Sequence, residues 1–114
     1  MRNPRFVHVG LTYHNLPAFT VEHVQLVDAA INSEALDWIR YAWNCYLVWT
    51  ASDCETISRK IDRLPGMSGV GHLVCEFTPR GAFGSLPPWI WEWLARDRGY
   101  GIWTLSDKPL DFLA

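Results

Sequence analysis

Residues 38–50 read W-I-R-Y-A-W-N-C-Y-L-V-W-T, and the rest of the chain is read around them. The stretch holds three of the seven tryptophans and two of the four tyrosines, with no Gly or Pro. Aromatic and β-branched residues at this density suit a pleated, half-buried surface. Two strand pieces are predicted, 39–42 and 44–50, meeting as a hairpin near Trp43 and Asn44.

Upstream, residues 5–13 (R-F-V-H-V-G-L-T-Y) read as a strand. Val7, Val9, Leu11 and Tyr13 make its core face, and Phe6, His8, Gly10 and Thr12 make the other. Gly10 is expected to mark a bulge or a close backbone approach. His14 and Asn15 follow in a turn before Pro17. Thr20 is the expected cap of a helix running to about Leu36, with Glu22 in its first turn. Val24, Val27 and Ile31 form its stripe, widened by Val21 and Leu26, and His23 is expected to be exposed.

Downstream, Ser52 and Glu55 fit a capping box. The helix they open carries Cys54, Ile57, Ile61 and Leu64 on one side and stops at Leu64-Pro65-Gly66. Residues 70–77 (V-G-H-L-V-C-E-F) form a strand with Leu73, Cys75 and Phe77 opposite His72, Val74 and Glu76. The Gly-rich loop 78–85 lacks the phosphate-cradling pattern. Pro87-Pro88 then opens a Trp-rich helix that ends at Gly99, and residues 100–105 form a short extra strand, closed off by Lys108-Pro109.

The order strand, helix, hairpin, helix, strand predicts an α+β fold, a ferredoxin-like β-α-β-β-α-β sandwich. Residues 1–114 read as a single domain with a C-terminal extension from about Leu86. Two helices cover one sheet face. The other, expected to carry Phe6, Thr12, Tyr46 and Val48, needs its own cover, and a second subunit is the simplest one.

Composition narrows the function classes. The chain has 114 residues, 49% hydrophobic and 19% charged, with net charge −2 and a pI near 6.0. This balance argues against a broad phosphate-binding surface. Arg59, Lys60 and Arg63 are the local basic cluster considered for nucleic acid. Seven Trp exceed what a core of this size needs, so Phe6, Tyr46, Trp89, Trp93 and Trp103 are candidate interface anchors. Cys45, Cys54 and Cys75 show no metal or redox spacing and suit a reducing compartment, with Cys45 and Cys75 read as core residues. No leader and no membrane span are evident, and a cytoplasmic homodimer, open to a further protein partner, is expected.

For chemistry, Tyr13, His14 and Asn15 form the best local constellation. A strand-end His is suited to act as a general base or to hold a metal across a dimer axis; a loop His with a satisfied hydrogen bond is the alternative. His8 and His72 face each other if their strands are neighbours, yet two His supply too few ligands for a structural zinc. Glu92 among tryptophans is either a carboxylate with a raised pKa or the polar side of an amphipathic turn.

The hairpin resembles the signature of small proteins in the CRISPR-associated Cas-two-like superfamily, particularly its SinR-like branch. The resemblance rests on Trp38, Tyr41, Tyr46, Leu47, Val48 and Thr50, then Leu86, Pro87, Trp91 and Trp93, and spans roughly residues 5–95. It implies a ferredoxin-like homodimer. Nuclease members of that superfamily carry an Asp at the end of the first strand, paired across the dimer to bind a divalent metal. His14 stands at the matching position, and an imidazole does not replace a hard carboxylate oxygen for magnesium. The resemblance therefore implies an interaction or scaffold protein without a cofactor. A nuclease or toxin-like phosphodiesterase acting on RNA or DNA through His14, with a divalent metal, and a non-catalytic nucleic-acid binder are the alternatives.

Overall fold

A computed structural model describes residues 3–14 and 20–98 of the chain. Two compact units are formed, Met1–Glu76 and Phe77–Ala114. In the first, strands β1 (Arg5–Tyr13), β2 (Asp37–Ala42), β3 (Cys45–Thr50) and β4 (Val70–Phe77) make a four-stranded sheet in the order β2-β3-β1-β4. Helices α1 (Val21–Glu34) and α2 (Cys54–Asp62) join the strands. Both β1 and β2 run antiparallel to β3. β4 runs antiparallel to β1: the His14 N–H donates to Gly69 O at 2.9 Å, while Arg5, at the far end of β1, reaches Glu76.

The core comprises Val7, Val9 and Leu11 from β1, Val27 and Ile31 from α1, Tyr46 and Val48 from β3, and Ile57 and Ile61 from α2. Val7 lies opposite Val48, and Val9 opposite Tyr46. Tyr46 and Val48 therefore belong to the helix-facing side, not to the opposite face as their positions had suggested. Alternation tells which residues share a face, but only the cross-strand register tells which face that is. The opposite face carries Phe6 and Trp49, whose rings are 4.7 Å apart and tilted.

α1 begins where Thr20 Oγ1 accepts the His23 N–H at 3.0 Å, and it ends at Glu34 rather than Leu36. Val21 and Leu26 are exposed and do not widen the apolar stripe. His23, expected in solvent, is 4% exposed. It precedes Val27 and Ile31 at intervals of four, which puts all three on one helix face. α2 is capped one residue later than expected: Asp53 Oδ1 accepts the Thr56 N–H at 2.8 Å. Ser52 is engaged elsewhere, its hydroxyl donating to Glu34 Oε1 at 2.7 Å. On β4, Val70 and Val74 pack against the core. Cys75 is exposed rather than buried, and Cys45 is half-buried.

The second unit contains a short 3-10 turn, Pro79–Gly81, and α3 (Pro88–Ala95). Pro88 opens α3, where a missing N–H costs nothing. Ile90, Trp91, Trp93 and Leu94 are buried, and Trp89 is exposed. The Arg98 guanidinium lies 4.5 Å from the Trp93 ring centroid and donates to Trp93 O. The expected strand at 100–105, with Trp103, and the closing Lys108-Pro109 lie outside the described residues.

Glu34 ties the end of α1 to β3 and α2. Its carboxylate accepts from Ser52 Oγ and from Lys60 Nζ, each at 2.7 Å. Its carbonyl accepts from the buried Thr50 hydroxyl at 2.6 Å. The bond from Lys60, then that from Ser52, holds the carboxyl below its usual 4.5. A depressed folded pKa contributes stability above the unfolded value, and that contribution disappears as pH falls through the lowered one. Glu34→Gln is therefore expected to cost about 1–2 kcal/mol at neutral pH, a range that allows for the exposure of Lys60. Thermal melts of the two proteins should converge as pH drops below the ordinary glutamate range.

Candidate functional site

Tyr13, the last residue of β1, and His14, the residue after it, leave the sheet on opposite sides. Tyr13 turns toward the helices, where its hydroxyl shares a 2.9 Å hydrogen bond with His23 Nδ1. The two rings meet edge-on with centroids 5.4 Å apart. The other His23 nitrogen, Nε2, is 3.1 Å from Met67 Sδ. Trp43, from the hairpin tip, brings its ring centroid to 5.7 Å from that of Tyr13. Burial, before any neighbouring charge, pushes the Tyr13 phenol above its ordinary pKa.

His14 is exposed on the other side. Its Nε2 is 3.4 Å from Thr12 Oγ1. Gly71 of β4 leaves room for this pair: a Cβ there would stand 2.6 Å from Thr12 Oγ1 and 3.6 Å from His14 Nε2. Asn15 lies outside the described residues. The structure thus separates Tyr13 from His14 instead of joining them in one constellation.

A second polar group lies under the hairpin. Tyr46, 1% exposed, donates its hydroxyl to Asp28 Oδ1 at 2.6 Å. Burial first, and then the bond to the Asp28 carboxylate, pushes its phenol far above the ordinary value. Arg40 Nη2 approaches Asp28 at 3.8 Å. The sequence assigned no site role to Asp28, Arg40 or His23. Asp28 offered no local signal, because Tyr46 reaches it across eighteen positions.

On the opposite face, His8 Nε2 is 2.7 Å from the Tyr41 hydroxyl. The β1–β3 register runs unbroken through Gly10, and its missing Cβ accommodates the His8 ring, whose Cε1 would lie 3.3 Å away. Burial lowers the His8 pKa. β1 and β4 are neighbours, yet His8 and His72 do not meet. His72 turns toward α2, with Nε2 2.7 Å from Ser58 Oγ and Nδ1 3.6 Å from Asp62. No group of three or more His, Cys, Asp and Glu among the described residues is placed to hold a metal.

The basic trio on α2 is largely compensated. Arg59 pairs with Glu55 at 2.5 Å, Lys60 pairs with Glu34, and Arg63 is exposed at the helix C-cap. Of the interface candidates, Phe6, Tyr46 and Trp93 are buried, and Trp89 is 50% exposed. Trp103 lies outside the described residues. Glu92 is exposed on α3, the polar side of the turn. No helix among the described residues is long and apolar enough to cross a membrane.

Comparison of the chain with protein-family models, curated proteins and solved structures finds no match.

Burial, then the neighbouring Cys45 and Cys75, pushes the Tyr41 phenol up to about 12 from its usual 10.0. The folded state therefore keeps a proton that the unfolded chain has lost, so this contribution is intact below pH 10 and fades as pH rises toward 12. Ultraviolet titration of the folded protein should show one phenol ionising near 12 that Tyr41→Phe removes.

Proposed function

We propose that this chain is a non-catalytic interaction or scaffold module that works as a homodimer, a ferredoxin-like relative of the SinR-like branch of the Cas-two-like superfamily. The β-α-β-β-α-β order and the β2-β3-β1-β4 sheet support the ferredoxin-like reading. The observation that carries the functional reading is the split at the end of β1: Tyr13 is committed to buried His23, and His14 stands on the other face with Thr12. That strand end presents no carboxylate for a shared divalent metal. Exposed large apolar side chains, including Trp43, Leu73, Phe83 and Trp89, support a binding role.

A second reading rests on His14 itself. Its imidazole is exposed at a strand end, open to a substrate. In that reading the protein is a phosphodiesterase on RNA or DNA, with His14 as general base and a divalent metal as cofactor.

Light scattering on the full chain should give twice the 13.1 kDa of one copy. A mass that stays at one copy across concentrations overturns the dimer. The same sample should leave RNA and DNA intact with magnesium or manganese. Cleavage that His14→Ala abolishes would replace the scaffold reading with the second one.

A further inference from the structure

His23 is buried, at 4% exposure, yet only one of its ring nitrogens has a strong partner. Nδ1 faces the Tyr13 hydroxyl at 2.9 Å. Nε2 faces the thioether sulfur of Met67 at 3.1 Å, and a thioether is a weak acceptor. Buried polar groups are ordinarily matched to better ones. An imidazole nitrogen and a thioether sulfur thus stand side by side beneath the loop that follows α2.

That loop is shaped to hold Met67 in place. It turns at Gly66 and Gly69, whose φ angles of 81° and 76° lie in the left-handed region that favours glycine. The Val70 N–H donates to Met67 O at 3.0 Å, closing a turn over residues 67–70 with Gly69 at its third position. Gly66 lies against the imidazole, since a Cβ there would stand 3.5 Å from His23 Cδ2. Met67 is half-buried and flanked by exposed Gly66 and Ser68, which leaves a short path from solvent to the pair.

We propose that His23 Nε2 and Met67 Sδ form a binding site for a soft monovalent cation, copper(I), with Tyr13 as the positioning residue behind it. Imidazole and thioether are neutral, polarisable ligands, a set that suits copper(I) and not magnesium or calcium. With bonds of about 2.0 Å to nitrogen and about 2.3 Å to sulfur, as zinc makes, one ion bridges atoms 3.1 Å apart. Rotation about the methionine torsions widens the angle at the metal without moving the backbone. The ion takes the Nε2 lone pair, so the ring hydrogen sits on Nδ1 and donates to the Tyr13 oxygen. A hydrogen bond of this kind fixes the tautomer and orientation of a metal-ligating histidine. The neutral ring only exchanges tautomers, and no proton is released. The site stands apart from His14 and does not depend on the homodimer.

Silver(I), a redox-stable ion of the same charge and softness, is the probe. The chain has two methionines, so carbon-labelled methionine methyls give two NMR signals, and Met67→Leu identifies which is which. Silver added beyond the three thiols should shift the Met67 methyl and the His23 imidazole nitrogens together. The silver-bound ring should carry its hydrogen on Nδ1, read from the nitrogen shifts. Met67→Leu conserves volume and should keep the circular dichroism spectrum while raising the silver dissociation constant, read at His23, at least tenfold. Tyr13→Phe should raise it by about 10- to 100-fold. Silver that occupies the cysteines while the Met67 and His23 signals stay in place overturns the site. So does a Met67→Leu chain that binds silver at His23 with unchanged affinity.

Discussion

The pairing of β1 with β3 is the constraint on which the first unit depends. Both strands are central, and the register that sets Val7 against Val48 and Val9 against Tyr46 places five apolar side chains, with Leu11, on the helix-facing side. A slip of one residue would turn Tyr46 and Val48 away and bring Leu47 and Trp49 inward. Ile57 and Ile61 of α2, and Val27 and Ile31 of α1, meet this surface. The helices are positioned by what the two strands present.

Polar groups at the margins of that core lock the arrangement at two ends. At one, Glu34 gathers Thr50, Ser52 and Lys60, so that the end of α1, the end of β3 and the body of α2 share a set of hydrogen bonds. At the other, Tyr13 and His23 join the end of β1 to the start of α1, and Met67 adds the loop after α2. Buried donors and acceptors are costly when unmatched. Each of these side chains has found a partner from a different element, so the polar margin specifies the same packing as the apolar centre.

This use of polar residues bears on chemistry. Histidines, tyrosines and lysines that look available along the sequence are largely spent on internal bonds: His23 on Tyr13, His72 on Ser58, His8 on Tyr41, Lys60 on Glu34. His14 is the exception in position, exposed beside Thr12 and the small Gly71. The described surface also exposes large apolar side chains, Val21, Trp43, Leu73 and Phe83 among them.

Local pattern determined the elements. Aromatic density without Gly or Pro marked the β2–β3 hairpin, the caps and periodic Val and Ile marked α1 and α2, and the bounds of β4 follow from its flanking Gly and Thr-Pro. The alternating core face of β1 was equally legible, because it needs no information beyond the strand itself. What only tertiary structure decided were relations between distant positions: the face taken by Tyr46, the exposure of Cys75, the burial of His23, and the capture of Ser52 by Glu34 in place of its capping role. The physical reason is common to all four. Propensity and periodicity act within a few residues, whereas register and hydrogen-bond partner are chosen by groups brought together from across the chain.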